Sequence, residues 1–109
     1  MSLSRAAAFA LLVVVTGCAQ PPDRFEVDAT GAGAESALLQ VCGKEDALLK
    51  AGERFQGERR IDCEGSGRIL IRFADGTSAE CPIGYVTGGL DQHWRFRLRG
   101  KSCEKVLPS

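Results

Sequence analysis

The chain has 109 residues, and its 14 Lys+Arg are matched by 14 Asp+Glu. That length suits one domain, and zero net charge gives no global attraction to nucleic acid or to an anionic surface, so any electrostatic site must be local. Five cysteines, one histidine and one tryptophan set the remaining bounds.

The chain opens with Met1–Arg5, which carries one basic side chain. An uncharged run, Ala6–Val15, follows. It has the length of a signal-peptide apolar core and is too short for a transmembrane helix. Small residues Thr16 and Gly17 end the run where a peptidase needs narrow side chains. Val15-Thr16-Gly17-Cys18 resembles the lipobox of bacterial lipoproteins, with Val15 where leucine is commoner. The resemblance implies that 1–17 is a cleaved signal peptide. It also implies that Cys18 carries diacylglycerol through a thioether and a further acyl chain, such as palmitate, on its new amine. Each buried CH₂ contributes about 0.8 kcal/mol, so two or three chains would make release from a bilayer negligible. Ala19 stands where inner-membrane lipoproteins often carry Asp. The family rule therefore implies the outer membrane, periplasmic face.

Loss of 1–17 removes Arg5 and leaves one more acidic than basic side chain. Residues 18–24, "CAQPPDR", form the expected lipid anchor and tether, since Pro21 and Pro22 favour an extended conformation. One disulfide-stapled domain is expected over 25–107. With Cys18 lipidated, Cys42, Cys63, Cys81 and Cys103 remain, an even number in an exported domain, which points to two disulfides. No pair has C-x-x-C spacing, which argues against a zinc ribbon or a redox dithiol. Three connectivities are open; the sequential one, Cys42–Cys63 and Cys81–Cys103, is favoured because an up-and-down trace brings those ends to one side.

"RFEVDA" (24–29) alternates and predicts a short strand. The segment 34–50 has two readings. Leu38, Val41, Cys42, Leu48 and Leu49 could share one helix face, but Gly43 interrupts it at a cost of about 1 kcal/mol. The other reading, which is preferred, is two strands, 37–42 and 46–50, turning at Gly43-Lys44. "RFQGERRIDC" (54–63) reads as a charged edge strand. "RILIRFA" (68–74) is apolar on both faces and reads as central. Asp75-Gly76 then signals a hairpin into 78–86, where Pro82 needs an unpaired site or a bulge. "HWRFRLR" (93–99) alternates cleanly, with Trp94, Phe96 and Leu98 inward. The tail after Cys103 reads as irregular. The predicted fold is all-β, a small antiparallel sandwich or barrel of about six or seven strands after the signal helix. An α+β fold with a helix near 34–50 is the alternative.

Little in the sequence points to catalysis. His93 starts a strand on its solvent side, with no nucleophile elbow to serve. Glu45, Asp46, Asp62, Glu64 and Asp75 fall in predicted turns and form no carboxylate pair in a cleft. "GSGR" and "TGG" lack the rest of a phosphate loop. A non-enzyme with no cofactor and no metal is expected. The feature with recognition chemistry is Arg95, Arg97 and Arg99, three guanidiniums at period two, extended by Arg72 if its strand lies nearby and balanced by Glu80 if that lies across the ladder. Guanidinium forks bind carboxylate and phosphate, so an anionic envelope component or a protein is the expected partner besides the membrane itself. The glycine-rich segment 84–92 is a second candidate surface. A non-catalytic interaction or structural lipoprotein of the cell envelope is the leading expectation. The alternative is an inhibitor of a periplasmic hydrolase such as a lysozyme or peptidase. In size, anchor and cysteine economy the chain is similar to lysozyme-inhibitor lipoproteins, but no inhibitory motif is shared.

Overall fold

The computed structural model describes residues 22–106. The signal segment, the lipobox and Cys18 lie outside the described residues. Nine strands follow one another: β1 Asp23–Asp28, β2 Ala34–Val41, β3 Lys44–Ala47, β4 Leu49–Ala51, β5 Arg54–Arg59, β6 Gly65–Phe73, β7 Ser78–Val86, β8 His93–Arg99 and β9 Ser102–Lys105. They form a five-stranded sheet, β4-β5-β1-β8-β9, packed on a four-stranded sheet, β3-β2-β6-β7. The all-β sandwich agrees with the sequence reading. The strand count exceeds the expected six or seven because the expected strand 46–50 is divided at Leu48 into β3 and β4, and because β9 is too short to show alternation.

Period-two burial builds the core. Trp94, Phe96 and Leu98 of β8, Phe25 and Val27 of β1 and Phe55 of β5 face Ala37, Leu39 and Val41 of β2, Ile69, Ile71 and Phe73 of β6, and Cys81 and Ile83 of β7. Side chains of this size each contribute about 1.5–3 kcal/mol on burial. The segment 34–50 is strands, not helix. Its turn falls one residue earlier than expected, at Cys42-Gly43, with φ of 57° and 69°. Two left-handed residues are what a two-residue hairpin requires, and Gly43 meets that demand without the clash a Cβ creates.

Three expectations need correction. First, β1 pairs with β8 in parallel, Phe25 opposite Trp94 and Val27 opposite Phe96, so the fold is not purely antiparallel. Second, 54–63 is not an edge: β5 lies between β4 and β1, with Arg54 and Glu58 outward and Arg59 on the same side as Phe55. Third, the folded domain begins before 25, because Asp23 and Arg24 belong to β1. Pro82 fits as foreseen. It sits on edge strand β7, where the pairing register slips between Gly67 and Arg68 and leaves room for a residue without an amide donor.

Each open side of the sandwich is closed differently. On one side the chain passes from β3 to β4 through Leu48, whose amide donates to Ala37 O at 2.9 Å. A Cβ on Gly57 would stand 2.7 Å from Leu48 Cδ2, so a larger residue there would make the Leu48 side chain shift. Arg59 of β5 pairs with Asp46 of β3 across the same side. On the other side, edge strands β7 and β9 are joined by the Cys81–Cys103 disulfide. The second bridge, Cys42–Cys63, ties the β2–β3 turn to the segment crossing from β5 to β6. The sequential connectivity is therefore the one adopted.

Candidate interaction face

The outer face of the five-stranded sheet carries the predicted arginine stripe. Parallel pairing sets Glu26 beside Arg95 and Asp28 beside Arg97. On the other flank, Arg54 reaches Glu26 at 3.3 Å and Asp28 at 4.0 Å. His93 Nε2 lies 3.2 Å from Glu26 Oε2. The carboxylates of β1 are therefore engaged largely from the β5 side and by His93. Thr30 donates to Asp28 Oδ1 through its hydroxyl at 2.6 Å and its amide at 3.1 Å. These bonds hold the Asp28 carboxyl below its ordinary pKa, with Arg54 and Arg97 adding to the effect.

The stripe is unevenly satisfied. Arg99 donates to Glu104 Oε2 at 3.1 Å and is tied to β9. Among the described residues, Arg95 and Arg97 make no contact ion pair. Both are exposed, two residues apart on one strand. Buried Trp94, Phe96 and Leu98 alternate with them and fix the direction in which they point. Two forks on a rigid strand can each take a carboxylate or phosphate in bidentate fashion.

Arg72 does not extend the stripe. It lies on β6 of the other sheet, exposed between Ser36 and Ser78. Glu80 does not balance it either, for the same reason. On that opposite face a chain of polar contacts crosses all four strands. Gln40 Nε2 donates to Glu45 Oε2 at 2.6 Å, Arg68 Nε donates to Gln40 Oε1 at 2.6 Å, and Arg68 Nη1 pairs with Glu80.

The glycine-rich segment is anchored at its base by a residue that sequence reasoning missed. Asp23 is 1% exposed. Its carboxylate accepts from Trp94 Nε1 at 3.3 Å and from the Gln92 amide at 3.4 Å, while the Arg24 amide donates to Gln92 O at 2.9 Å. Read after Pro-Pro, Asp23 looked like linker; the available signal was an indole N–H on a core strand that needs an acceptor. Farther out, Tyr85 OH donates to Glu64 Oε1 at 2.9 Å, which pushes the phenol pKa up.

Of the other carboxylates, Asp75 alone is strongly shifted. Lys101 Nζ at 2.5 Å, then the Thr77 hydroxyl at 2.5 Å and amide at 3.0 Å, hold it far below its ordinary range. It fastens the β6–β7 turn to the β8–β9 turn. Asp62 gathers with the sulfurs of Cys42 and Cys63 within 4.8 Å. Those sulfurs are joined in a disulfide, whereas a metal ligand must be a thiolate, so the cluster is a bridge with an acid beside it. Compared with known protein families, with curated proteins and with solved structures, the chain matches none.

Proposed function

We propose that this chain is a lipid-anchored, non-catalytic interaction module of the bacterial cell envelope, held through Cys18 at the periplasmic face of the outer membrane. The cysteine account carries the reading. The two disulfides take Cys42, Cys63, Cys81 and Cys103, and they leave Cys18 for the lipid that Val15-Thr16-Gly17-Cys18 prescribes. Structural disulfides also belong to an oxidising compartment. Arg95 and Arg97, outward on β8 and not paired in contact, supply the recognition chemistry, and the partner is an anionic component of the envelope, bound by its carboxylates or phosphates.

Intact mass of the full chain expressed in a two-membrane bacterium tests the anchor. The expected product lacks 1–17 and carries diacylglyceryl and acyl groups on Cys18. A chain that retains its leader, or that bears no lipid, rejects the proposal. For the partner, envelopes are solubilised and the lipoprotein is captured with or without Arg95→Glu and Arg97→Glu. The double reversal should strip the bound anionic component, while Arg72→Glu on the other sheet should not. Identical capture by all three proteins rejects the arginine site.

A further inference from the structure

The two ends of the sandwich differ. One end gathers the start of β1, the Cys42-Gly43 turn, segment 60–64 and loop 87–92. The other gathers segment 29–33 and the turns at 52–53, 74–77 and 100–101. The second end is polar and internally tied: Lys101 pairs with Asp75, and the Gly31 amide donates to Glu53 Oε1 at 2.9 Å. The first end sets two large exposed apolar side chains among its charges. Of the three large apolar side chains exposed among the described residues, Tyr85 at 64% and Leu90 at 49% are here; Leu49 is on a lateral strand.

The chain enters the domain at this first end. Gln92 shares hydrogen bonds with Asp23 and Arg24, so the point of entry lies beside the base of the loop that carries Leu90. From Cys18 to Asp23 is five peptide steps, at most roughly 18 Å when fully extended. β1 alone spans six residues, roughly 17 Å at a strand's rise. To present the polar end to the bilayer, the tether would have to double back along the whole strand with nothing to spare.

Resting on the anchor reading above, we infer that the end bearing loop 87–92 faces the lipid surface and touches it, with Leu90 entering the boundary between headgroups and acyl chains and the Tyr85 ring at headgroup level. A loop leucine and an amphipathic phenol at the same end suit that interface. Charge does not drive the contact. Lys44, Arg60 and Arg24 are offset at this end by Asp62, Glu64 and Asp91, so an anionic bilayer gains no net attraction. Covalent anchoring makes up the difference, because it holds the loop at high local concentration against the surface.

The test uses the full chain, processed and acylated by its host, in nanodiscs of phosphatidylethanolamine and phosphatidylglycerol containing a headgroup nitroxide lipid. Paramagnetic broadening of side-chain resonances is the readout. Leu90 methyl and Tyr85 ring signals should broaden several-fold more than Leu49 methyls, and Ala32 at the far end should broaden least. Leu90→Asp should cut the broadening at Tyr85; Leu49→Asp should leave it unchanged. If Leu90 broadens no more than Leu49 or Ala32 in a sample whose mass shows the acyl groups, the orientation is overturned and the anchor stands. A sample whose mass shows no acyl groups overturns the anchor, and the orientation with it.

Discussion

The two outer faces of this sandwich differ in how they engage arginine. On the four-stranded sheet, Arg68 is locked between Gln40 and Glu80, and the polar chain runs from edge strand to edge strand. On the five-stranded sheet, Arg54 and His93 engage the Glu26 carboxylate, and Arg95 and Arg97 stay open to solvent. Among the described residues, the first face commits Arg68 and leaves Arg72 without a contact ion pair; the second commits Arg54 and Arg99 and leaves Arg95 and Arg97, two residues apart on one strand, without one. An exposed arginine is therefore read by its neighbours' commitments rather than by its own exposure.

Removing the support under the open face should have the largest effect. Phe96, 2% exposed, lies between Arg95 and Arg97 on β8, and Phe96→Ala should cost about 3–5 kcal/mol. Urea unfolding should show a domain at or past its stability limit, with both faces lost together. Next comes the covalent link between the sheets. Cys81→Ala with Cys103→Ala opens a bridge of sequence separation 22 and should cost roughly 3 kcal/mol on the chain-entropy account. The loss should exceed that from Cys42→Ala with Cys63→Ala, since Cys81 is wholly buried and both Cys42 and Cys63 are half-exposed.

The comparison of the faces is sharpened by two single truncations. Arg68→Ala, which unties Gln40 and Glu80, should lower stability by roughly 0.5–1 kcal/mol. Arg95→Ala breaks no contact ion pair and should change the melting temperature little while weakening partner capture. The smallest effect concerns acid. The Asp75 carboxyl is depressed below its ordinary value of 3.8 in the folded state. Its contribution is thus present above the unfolded value and is lost as pH falls through the folded one. Asp75→Asn should flatten part of the fall in thermal stability between about pH 5 and pH 2. Identical acid slopes would mean that Lys101 and Thr77 hold the turn without help from the charge.

Legibility in the sequence followed the range of the interaction. β6, β7 and β8 were readable because Ile69–Ile71–Phe73 and Trp94–Phe96–Leu98 alternate locally. The Asp75-Gly76 hairpin was readable because its chemistry is confined to four residues. Partner choice was not. Nothing within "RFEVDA" says that its neighbour is a strand nearly seventy residues away in parallel, as in Arg24 beside His93. Alternation placed Arg72 and Arg95 outward, but outward on which sheet depends on the crossover at Leu48, where the Leu48 side chain packs against Gly57. β5 was misread as an edge because its exposed charges suggested a strand kept from pairing. Its one buried aromatic, Phe55, marks an inner face that a polar background hides. Within the candidate site, the arginines were visible and their freedom was not, since freedom depends on which carboxylates Arg54 and His93 engage.

The placement of β1 has a mechanical consequence. It lies inside its sheet, bonded to β5 on one side and to β8 on the other. A pull transmitted through the chain ahead of Asp23 runs along the strand axis. Both ladders are then loaded in shear, and their bonds must yield together instead of peeling one by one from an edge. Under the proposed anchoring at Cys18, the domain would resist being drawn apart by its own attachment point.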